Sequence, residues 1–200
     1  MNRATSLLGR LVLVSLGVLL AAASAPVSAA VTTYTDLESF LAAVGGTPVT
    51  LENFDQFETG TNIGNQITGV LFSSPNSGSE GYSPIAVISD SSASSRPNML
   101  VGGSVPGVTS QITQVMVLSF TPSISAFAFD LTAYNPAATA ASVRFDFDNE
   151  SSQTSPLANT SDSELTPVFF GGISDRPIVA VTITSGFEGG AFEEYGIDDL

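Results

Sequence analysis

Apolar and polar residues alternate along much of the second half of this chain, with the period of two that is typical of half-buried β-strands. The apolar members of two such runs are predicted to point inward and to form the centre of the core. They are Phe127, Phe129 and Leu131 in the first run and Val143, Phe145 and Phe147 in the second. The polar residues between them, such as Arg144 and Asp146, are predicted to face solvent.

Turn signals between the apolar runs divide them into about nine strands. Pro122 is predicted to turn the chain between two antiparallel strands, residues 114–120 and 124–131. Residues 174–177, Ser-Asp-Arg-Pro, predict a second turn, and a polar loop is expected over residues 149–162. This succession of strands predicts an all-β, two-layer antiparallel β-sandwich.

One short helix is predicted before the first strand. Thr35, followed three residues later by Glu38, matches a capping box, and apolar residues then recur at helical spacing from Leu37 to Val44. Glycine at position 45 ends the run. We expect the apolar face of this helix to pack on the domain.

Residues 1–29 have the composition of a secretory signal peptide. Arg3 and Arg10 precede or flank an apolar stretch, and the small residues that follow predict cleavage after Ala29, with a cut after Ala25 as the alternative. The apolar stretch is short for a membrane anchor, since a full span needs about 20 residues. We therefore expect a secreted protein, at the cell surface or outside it.

Composition narrows the partners and the sources of stability. The chain has 200 residues and a formal net charge of −14, which becomes −16 when a leader holding two arginines and no acid is removed. Such a charge repels phosphate backbones, so nucleic acid is not an expected partner. There is no cysteine, but 43% of the residues are apolar. A core rather than disulfides must hold residues 30–200, which we expect to form one domain with no membrane span.

The absence of certain residue types restricts catalysis. The chain has no His, Cys or Lys, which excludes the common Ser-His-Asp, Cys-His and Schiff-base arrangements. A pair of carboxylates, as in glycoside hydrolysis, is the chemistry that remains. There is no Trp, and Tyr82 and Tyr134 are the candidates for contact with a sugar ring. We expect a protein that is not an enzyme.

Acidic residues interrupt two apolar segments that lie far apart in the sequence. The closing segment, residues 192–200, is predicted to be a β-strand lying beside a strand that begins at residues 49–51. A half-buried strand has no reason to hold the adjacent Asp198 and Asp199 unless something offsets their charge. A hard cation such as calcium would do so, and a solvated strand end is the alternative.

Several segments together resemble bacterial secreted proteins of the PEP-CTERM type. They are residues 51–55, 68–73, 124–131, 169–174 and 195–200, and the resemblance extends over about residues 35–200. Such proteins usually continue into a Val-Pro-Glu-Pro sorting segment, a transmembrane helix and a basic tail, which this sequence lacks. The resemblance therefore implies either a released relative or a truncated product.

The two acidic segments are also similar to those of jelly-roll domains of the MAM and carbohydrate-binding-module type. In those domains, an acid of the first strand and an Asp of the last commonly bind a structural calcium. The resemblance implies Glu52 and Asp199 as the best calcium ligands, with Asp198 and Asp55 next. Carboxylates and carbonyls are the ligands that calcium prefers.

These observations predict a secreted, non-catalytic extracellular module that is stabilised by calcium. Loops on a rigid sandwich are a common place for recognition, so we expect it to bind a polysaccharide or a cell-surface or matrix partner. Two alternatives stay open. One is a structural surface or assembly protein with no sugar ligand, and the weaker one is a carboxylate-based glycoside hydrolase.

Overall fold

The computed structural model describes most of the chain from Ala29 onward. The described residues are 29–75, 85–89, 98–101, 115–132, 141–157, 167–184, 187–188, 191–192 and 196–200. In chain order their elements are β1 (Val31–Tyr34), α1 (Leu37–Val44), β2 (Val70–Ser73), β3 (Ala86–Ser89), β4 (Asn98–Val101), β5 (Val115–Thr132), β6 (Ser142–Phe147), β7 (Ser152–Pro156), β8 (Val168–Thr184), β9 (Phe187–Glu188), β10 (Ala191–Phe192) and β11 (Gly196–Asp198).

Nine of the strands form one antiparallel sheet, and β9 pairs separately with β10. The order along the sheet is β3-β4-β11-β5-β8-β6-β7, with β1 attached to β8 and β2 attached to β5. The predicted all-β fold with one short helix and about nine strands is confirmed. The sheet forms a sandwich because its two longest strands, β5 and β8, belong to both layers.

The pairing along β5 and β8 changes at their midpoints. The first half of β5 pairs with β2 and with the second half of β8, which in turn pairs with β6. The second half of β5 pairs with β11 and with the first half of β8, which in turn pairs with β1. Layer one is therefore β2-β5-β8-β6-β7, and layer two is β3-β4-β11-β5-β8-β1.

A bend in β5 brings the two layers face to face. The ring centroids of Phe120 and Phe127 are 5.7 Å apart, although seven residues of extended strand would span roughly 23 Å. The pairing with β8 shifts register between Ser119 and Ala126, as expected at a bulged corner where strands change layer. Across the interior, the rings of Phe145 in layer one and Phe170 in layer two stack at 6.3 Å.

Both predicted turns of the central region are wrong for the same reason. Pro122 follows a cis peptide bond but lies inside β5, and residues 174–177 lie inside β8. Turn-forming residues occupy the corner because a strand must bend there, yet the chain continues forward instead of reversing. The predicted polar loop at residues 149–162 is also wrong in part, since it contains β7, an edge strand that tolerates Pro156.

The predicted core positions are confirmed. The following six side chains are all at most 5% exposed: Phe127, Phe129, Leu131, Val143, Phe145 and Phe147. They belong to one cluster of buried apolar residues that includes members of both layers. On the outer face of β6, the predicted outward Arg144 and Asp146 form an ion pair at 2.6 Å.

The helix α1 forms where it was predicted, but its cap differs. Asp36, not Thr35, is the N-cap, and its side chain accepts a hydrogen bond from the Ser39 N–H at 2.8 Å. The left-handed Gly45 (φ 69°) ends the helix. A carboxylate at the N-cap can accept a hydrogen bond from the N–H three residues later, and Asp36 occupies the N-cap. The predicted capping box, which begins at Thr35, is therefore wrong. Among the described residues, no helix has the length and apolar content needed to cross a membrane.

Only part of the apolar face of α1 packs on the domain. Phe40 is buried over Gly171 of β8, where an added Cβ would lie 2.7 Å from the Phe40 ring. The ring of Phe169 lies 5.8 Å from that of Phe40. Leu37 and Leu41 are exposed by 53% and 42%. The helix is therefore fastened to the outer face of layer two by Phe40, and the expected packing of its leucines is wrong.

The two open sides of the sandwich are closed in different ways. On one side, residues 60–64, which we call the backbone seam, bond to β3 of layer two and to β2 of layer one. On the other side, Gln153 of β7 forms what we call the amide clamp. Its Oε1 accepts from the Val31 N–H at 2.8 Å, and its Nε2 donates to the Val31 carbonyl at 3.2 Å.

Candidate functional site

The closing strand β11 is an interior strand of layer two. Ile197 pairs with Leu100 of β4 on one side and with Leu131 of β5 on the other, and all three side chains are buried. An edge strand would have paired on one side only. The last residues of this sequence are thus fixed by neighbours on both flanks, which places Asp198 and Asp199 at a defined position.

The predicted proximity of the two acidic segments is confirmed. Glu52 and Leu200 exchange both backbone hydrogen bonds, N–H to carbonyl, each at 2.8 Å. The segment around Glu52 is nevertheless not the strand that was predicted at residues 49–51, and Leu51 is 69% exposed. Because the side chain of Leu51 lies in solvent, this segment has no buried apolar face that would support a strand. Among the described residues, one pair, Glu52 and Leu200, joins the two segments through backbone hydrogen bonds.

Asp198 lies directly opposite Asp130 of β5. Residues directly opposite in an antiparallel pair point to the same face of the sheet, so two carboxylates are neighbours here. Asp198 is fully buried and Asp130 is partly buried. One oxygen of Asp198 accepts the Asp199 N–H at 2.9 Å. Like charges placed opposite each other destabilise a sheet, and a cation or a shared proton would relieve that cost.

Asp130 is a candidate that sequence reasoning missed. It falls between the inward Phe129 and Leu131, so the alternation marks it only as an outward residue. Its significance depends on the register of β11, in which Ile197 faces Leu131 and Asp198 therefore faces Asp130. The only available signal was the shared pattern of an apolar residue next to Asp in both strands.

Glu52 stabilises the turn that follows it. Its Oε1 accepts the Phe54 N–H at 2.8 Å, and the Gln56 side-chain amide lies 2.8 Å from both carboxylate oxygens. Phe54 is fully buried although its φ of 59° is in the left-handed region. Such a conformation is unusual for a bulky residue and must be held by its surroundings. The carboxylate of Glu52 is one such restraint.

Asp55 connects the same turn to β4. Its Oδ1 accepts the Asn98 N–H and its Oδ2 accepts from the side-chain amide of Asn53, both at 3.3 Å. Asn98 is buried and donates from Nδ2 to the carbonyl of Phe57 at 3.0 Å. Asn98 is a second residue that sequence reasoning missed, because an isolated Asn before an apolar run carries no distinctive pattern.

These contacts bring the four predicted metal ligands to one region, which we call the closing junction. It consists of residues 52–57, Asn98, Asp130 and residues 198–200. Every side-chain donor atom available there for a cation is oxygen, which fits the preference of calcium. Glu52 and Asp55 accept hydrogen bonds on both oxygens, and Asp198 accepts the Asp199 N–H, so a cation would share these carboxylates with their present donors.

A site at the closing junction would need ligands besides carboxylates. Within the ranges that the structure describes, no three side chains among His, Cys, Asp and Glu are grouped so as to hold a metal ion. Calcium takes six to eight oxygen ligands and accepts backbone carbonyls and waters among them. The junction carbonyls of Glu52, Phe54, Phe57 and Leu200 already accept hydrogen bonds from the protein, so other carbonyls or waters would complete the coordination.

The remaining predicted sites lie outside the described residues. Tyr82 and Tyr134 both fall in segments that the structure does not describe, as does the leader up to residue 28. A shallow open depression of about 270 Å³ lies at the corner between the layers. Three serines, Asp175 and Arg176 are among the residues that line it, and these residue types can donate and accept hydrogen bonds.

The fold and the closing junction define this chain as an all-β sandwich protein whose last strand is built into its interior. No model of a known protein family matches the chain. No curated protein matches it in sequence either. The resemblance to PEP-CTERM-type proteins and to MAM or carbohydrate-binding modules stays a prediction.

Proposed function

We propose that this chain is a secreted, non-catalytic extracellular module that is stabilised by calcium and binds a polysaccharide or a cell-surface or matrix partner. The observation that carries the proposal is the pairing of the fully buried Asp198 with Asp130. Two neighbouring carboxylates with little access to water repel each other, and a cation bound by both removes that repulsion. Calcium at this point would link β5, β11 and the end of the sequence.

The proposed ligands are Asp198 and Asp199, with Asp130 as an added carboxylate. Glu52 and Asp55 contribute by shaping the turn beside them, through their hydrogen bonds to the N–H groups of Phe54 and Asn98. When bound, calcium would neutralise the facing carboxylates. The role of calcium is then structural and not catalytic, which agrees with a sequence that lacks His, Cys and Lys.

Two features support a polar ligand such as a polysaccharide. Serine, Asp175 and Arg176 are among the residues that line the corner depression, and they are residue types that form hydrogen bonds with sugar hydroxyls. It is carried by β5 and β8, the two strands common to both layers, so its groups sit on a rigid support. Tyr82 and Tyr134 stay candidates for stacking against a ring.

Thermal melting with calcium and with chelator tests the metal. A ligand that binds only the folded state stabilises it by about 2.7 kcal/mol at a hundredfold excess over its Kd. For a domain of this size that is a rise in Tm of roughly 5–10 °C. Asp198→Asn and Asp199→Asn should abolish the rise, and Asn tolerates the left-handed backbone of Asp199.

Asp148→Asn is the matched control, because Asp148 is exposed in the turn after β6 and lies outside the closing junction. It should keep the full calcium response. Identical melting of the wild type with calcium and with chelator would remove calcium from the proposal. A calcium response that survives in both Asp198→Asn and Asp199→Asn would place the ion elsewhere.

Glycan-array binding tests the ligand class. Binding that is lost in Tyr82→Ala, Tyr134→Ala or Arg176→Ala, with Tm unchanged, would support a polysaccharide ligand and identify its site. Ser152→Ala is the control, since Ser152 is exposed on β7. Calcium-dependent self-association without glycan binding would instead favour the structural assembly protein.

A further inference from the structure

The backbone of Ala30 is held by the side chain and backbone of Asp175. The Ala30 N–H donates to Asp175 Oδ1 at 3.0 Å, and the Asp175 N–H donates to the Ala30 carbonyl at 3.3 Å. Ala30 immediately precedes β1, and Asp175 lies at the corner within β8. The nitrogen in this contact belongs to the peptide bond at which the sequence predicts leader cleavage.

We propose that cleavage after Ala29 gives Ala30 an α-ammonium group that Asp175 binds as an ion pair, so that removal of the leader fastens β1 to the corner. This inference rests on the secretion that is part of the proposed function. A signal peptidase would add water across the Ala29–Ala30 bond. The carboxylate then leaves with the leader, and the amine stays on Ala30 and takes up a proton.

The geometry needs no rearrangement, because the nitrogen is already within hydrogen-bonding distance of the carboxylate. An ordinary α-amino group has a pKa of about 7.7–8.0, so it is mostly charged at neutral pH. A charged donor strengthens a hydrogen bond to a carboxylate. The rest of β1 is positioned independently by its register with β8, from Val31 opposite Ser174 to Tyr34 opposite Gly171.

Cleavage also removes Ala29, whose side chain is 6% exposed and belongs to the core cluster. A test must therefore change the charge of the terminus while keeping a group in the place of Ala29. An N-acetyl group does this, because its carbonyl and methyl occupy the positions of the Ala29 carbonyl and Cα. Acetylation also restores the neutral N–H of the uncut chain.

The experiment compares the chain that begins at Ala30 with a free amine and with an acetylated one, each with Asp175 and with Asp175→Asn. With Asp175, the free amine should melt about 1–3 °C higher than the acetylated chain at low salt, the shift expected for an exposed ion pair. The difference should shrink in 1 M salt. It should vanish in Asp175→Asn.

Equal melting of the free and acetylated chains with Asp175 would overturn the inference, as would a difference of the same size in Asp175→Asn. Asp175→Glu keeps the charge, so a retained difference there supports the pair even if Asp175→Asn folds poorly. Mass spectrometry of the exported protein must find Ala30 first, and a start at Pro26 overturns the inference. None of these readouts involves calcium or glycan. If the chain is not exported, the proposed secretion is wrong, but the melting comparison still tests the ion pair.

Discussion

The two open sides of the sandwich solve one problem by different means. At the backbone seam, main-chain groups of residues 60–64 bond to both layers: Ile63 N–H to the Ile85 carbonyl at 2.9 Å in layer two, and Phe72 N–H to the Gly64 carbonyl at 2.7 Å in layer one. At the amide clamp, one side chain, Gln153, meets both polar groups of Val31. Both arrangements cover strand edges that would otherwise pair with other chains.

Because of this difference, the two sides are sensitive to different substitutions. The seam uses groups that every residue except proline possesses, so its hydrogen bonds survive most changes of side chain, and its weak point is the packing of Ile63. The clamp depends on an amide that both donates and accepts at the right length. Only Gln has that group on a side chain of that length, so one substitution removes the clamp entirely.

The largest effect is expected from Ile63→Ala at the seam. Ile63 is 4% exposed and belongs to the core cluster, so truncation leaves a cavity where the two layers meet. We expect a loss of about 3 kcal/mol in the free energy of unfolding, within the range for buried Ile to Ala. Urea unfolding followed by circular dichroism measures it.

Asn62→Ala is the matched control on the same segment, because the Asn62 side chain is exposed. It should change the free energy of unfolding by less than about 0.5 kcal/mol. Amide exchange of Val87, which donates to the Thr61 carbonyl, should accelerate in Ile63→Ala and stay unchanged in Asn62→Ala. Similar losses in the two variants would show that packing of Ile63 is not the weak point.

A smaller loss is expected from Gln153→Ala at the clamp. The change leaves the Val31 N–H and carbonyl, both partly buried in their contact with Gln153, without this partner, which costs about 1–3 kcal/mol. Gln153→Glu keeps the acceptor for the Val31 N–H. At neutral pH it replaces the amide donor by a carboxylate oxygen, which repels the Val31 carbonyl oxygen. It should be as costly as Gln153→Ala at pH 7 and less costly at low pH, where a protonated acid donates.

Thr154→Ala controls for the strand itself, since Thr154 is the exposed neighbour of Gln153 on β7. Hydrogen exchange should report faster exchange of the Val31 amide in Gln153→Ala and not in Thr154→Ala. Unchanged protection of Val31 in Gln153→Ala would mean that pairing with β8 alone holds β1.

How much of this fold the sequence predicts depends on whether a pattern is local. The alternation at Val143, Phe145 and Phe147 was sufficient to predict that these side chains are buried, because the face on which each residue lies follows from its place in the strand. The corner was not predictable, because Pro122 and residues 174–177 carry the composition of a turn whether the chain reverses or only bends. Which of the two occurs depends on pairing between β5 and β8, about 50 residues apart in the sequence.

The candidate site divides in the same way. The adjacency of the two acid-bearing segments was predicted, and the reciprocal pair of hydrogen bonds between Glu52 and Leu200 confirms it. Asp130 was missed because its neighbour Asp198 is set by register, which a period of two does not reveal. Gln153 was missed as well, since a polar residue in a polar segment gave no sign that it faces inward opposite Phe145.

The smallest effect expected is the coupling between the two sides, measured in the double variant Ile63→Ala/Gln153→Ala. In layer one, four strand spacings of about 4.8 Å, roughly 19 Å in all, separate β7 from β2 beside the seam. Sites so far apart with no shared partner add to within about 0.5 kcal/mol. The losses should therefore sum, and urea unfolding of the two single variants and the double variant measures the sum.

A larger coupling would show that the two sides communicate, and β5 and β8 are the candidate route because they are the strands that join the two layers. In that case, opening at one edge would loosen the corner and weaken the opposite edge, and the losses would not be independent.

Arg144→Ala provides the baseline for this comparison. Its ion pair with Asp146 is on the outer face of β6, beside β7 but far from the seam, and such surface pairs are worth about 0–1 kcal/mol. Coupling between Arg144→Ala and Ile63→Ala that matches the coupling between the edges would show a general loosening of the sheet instead of communication through the corner.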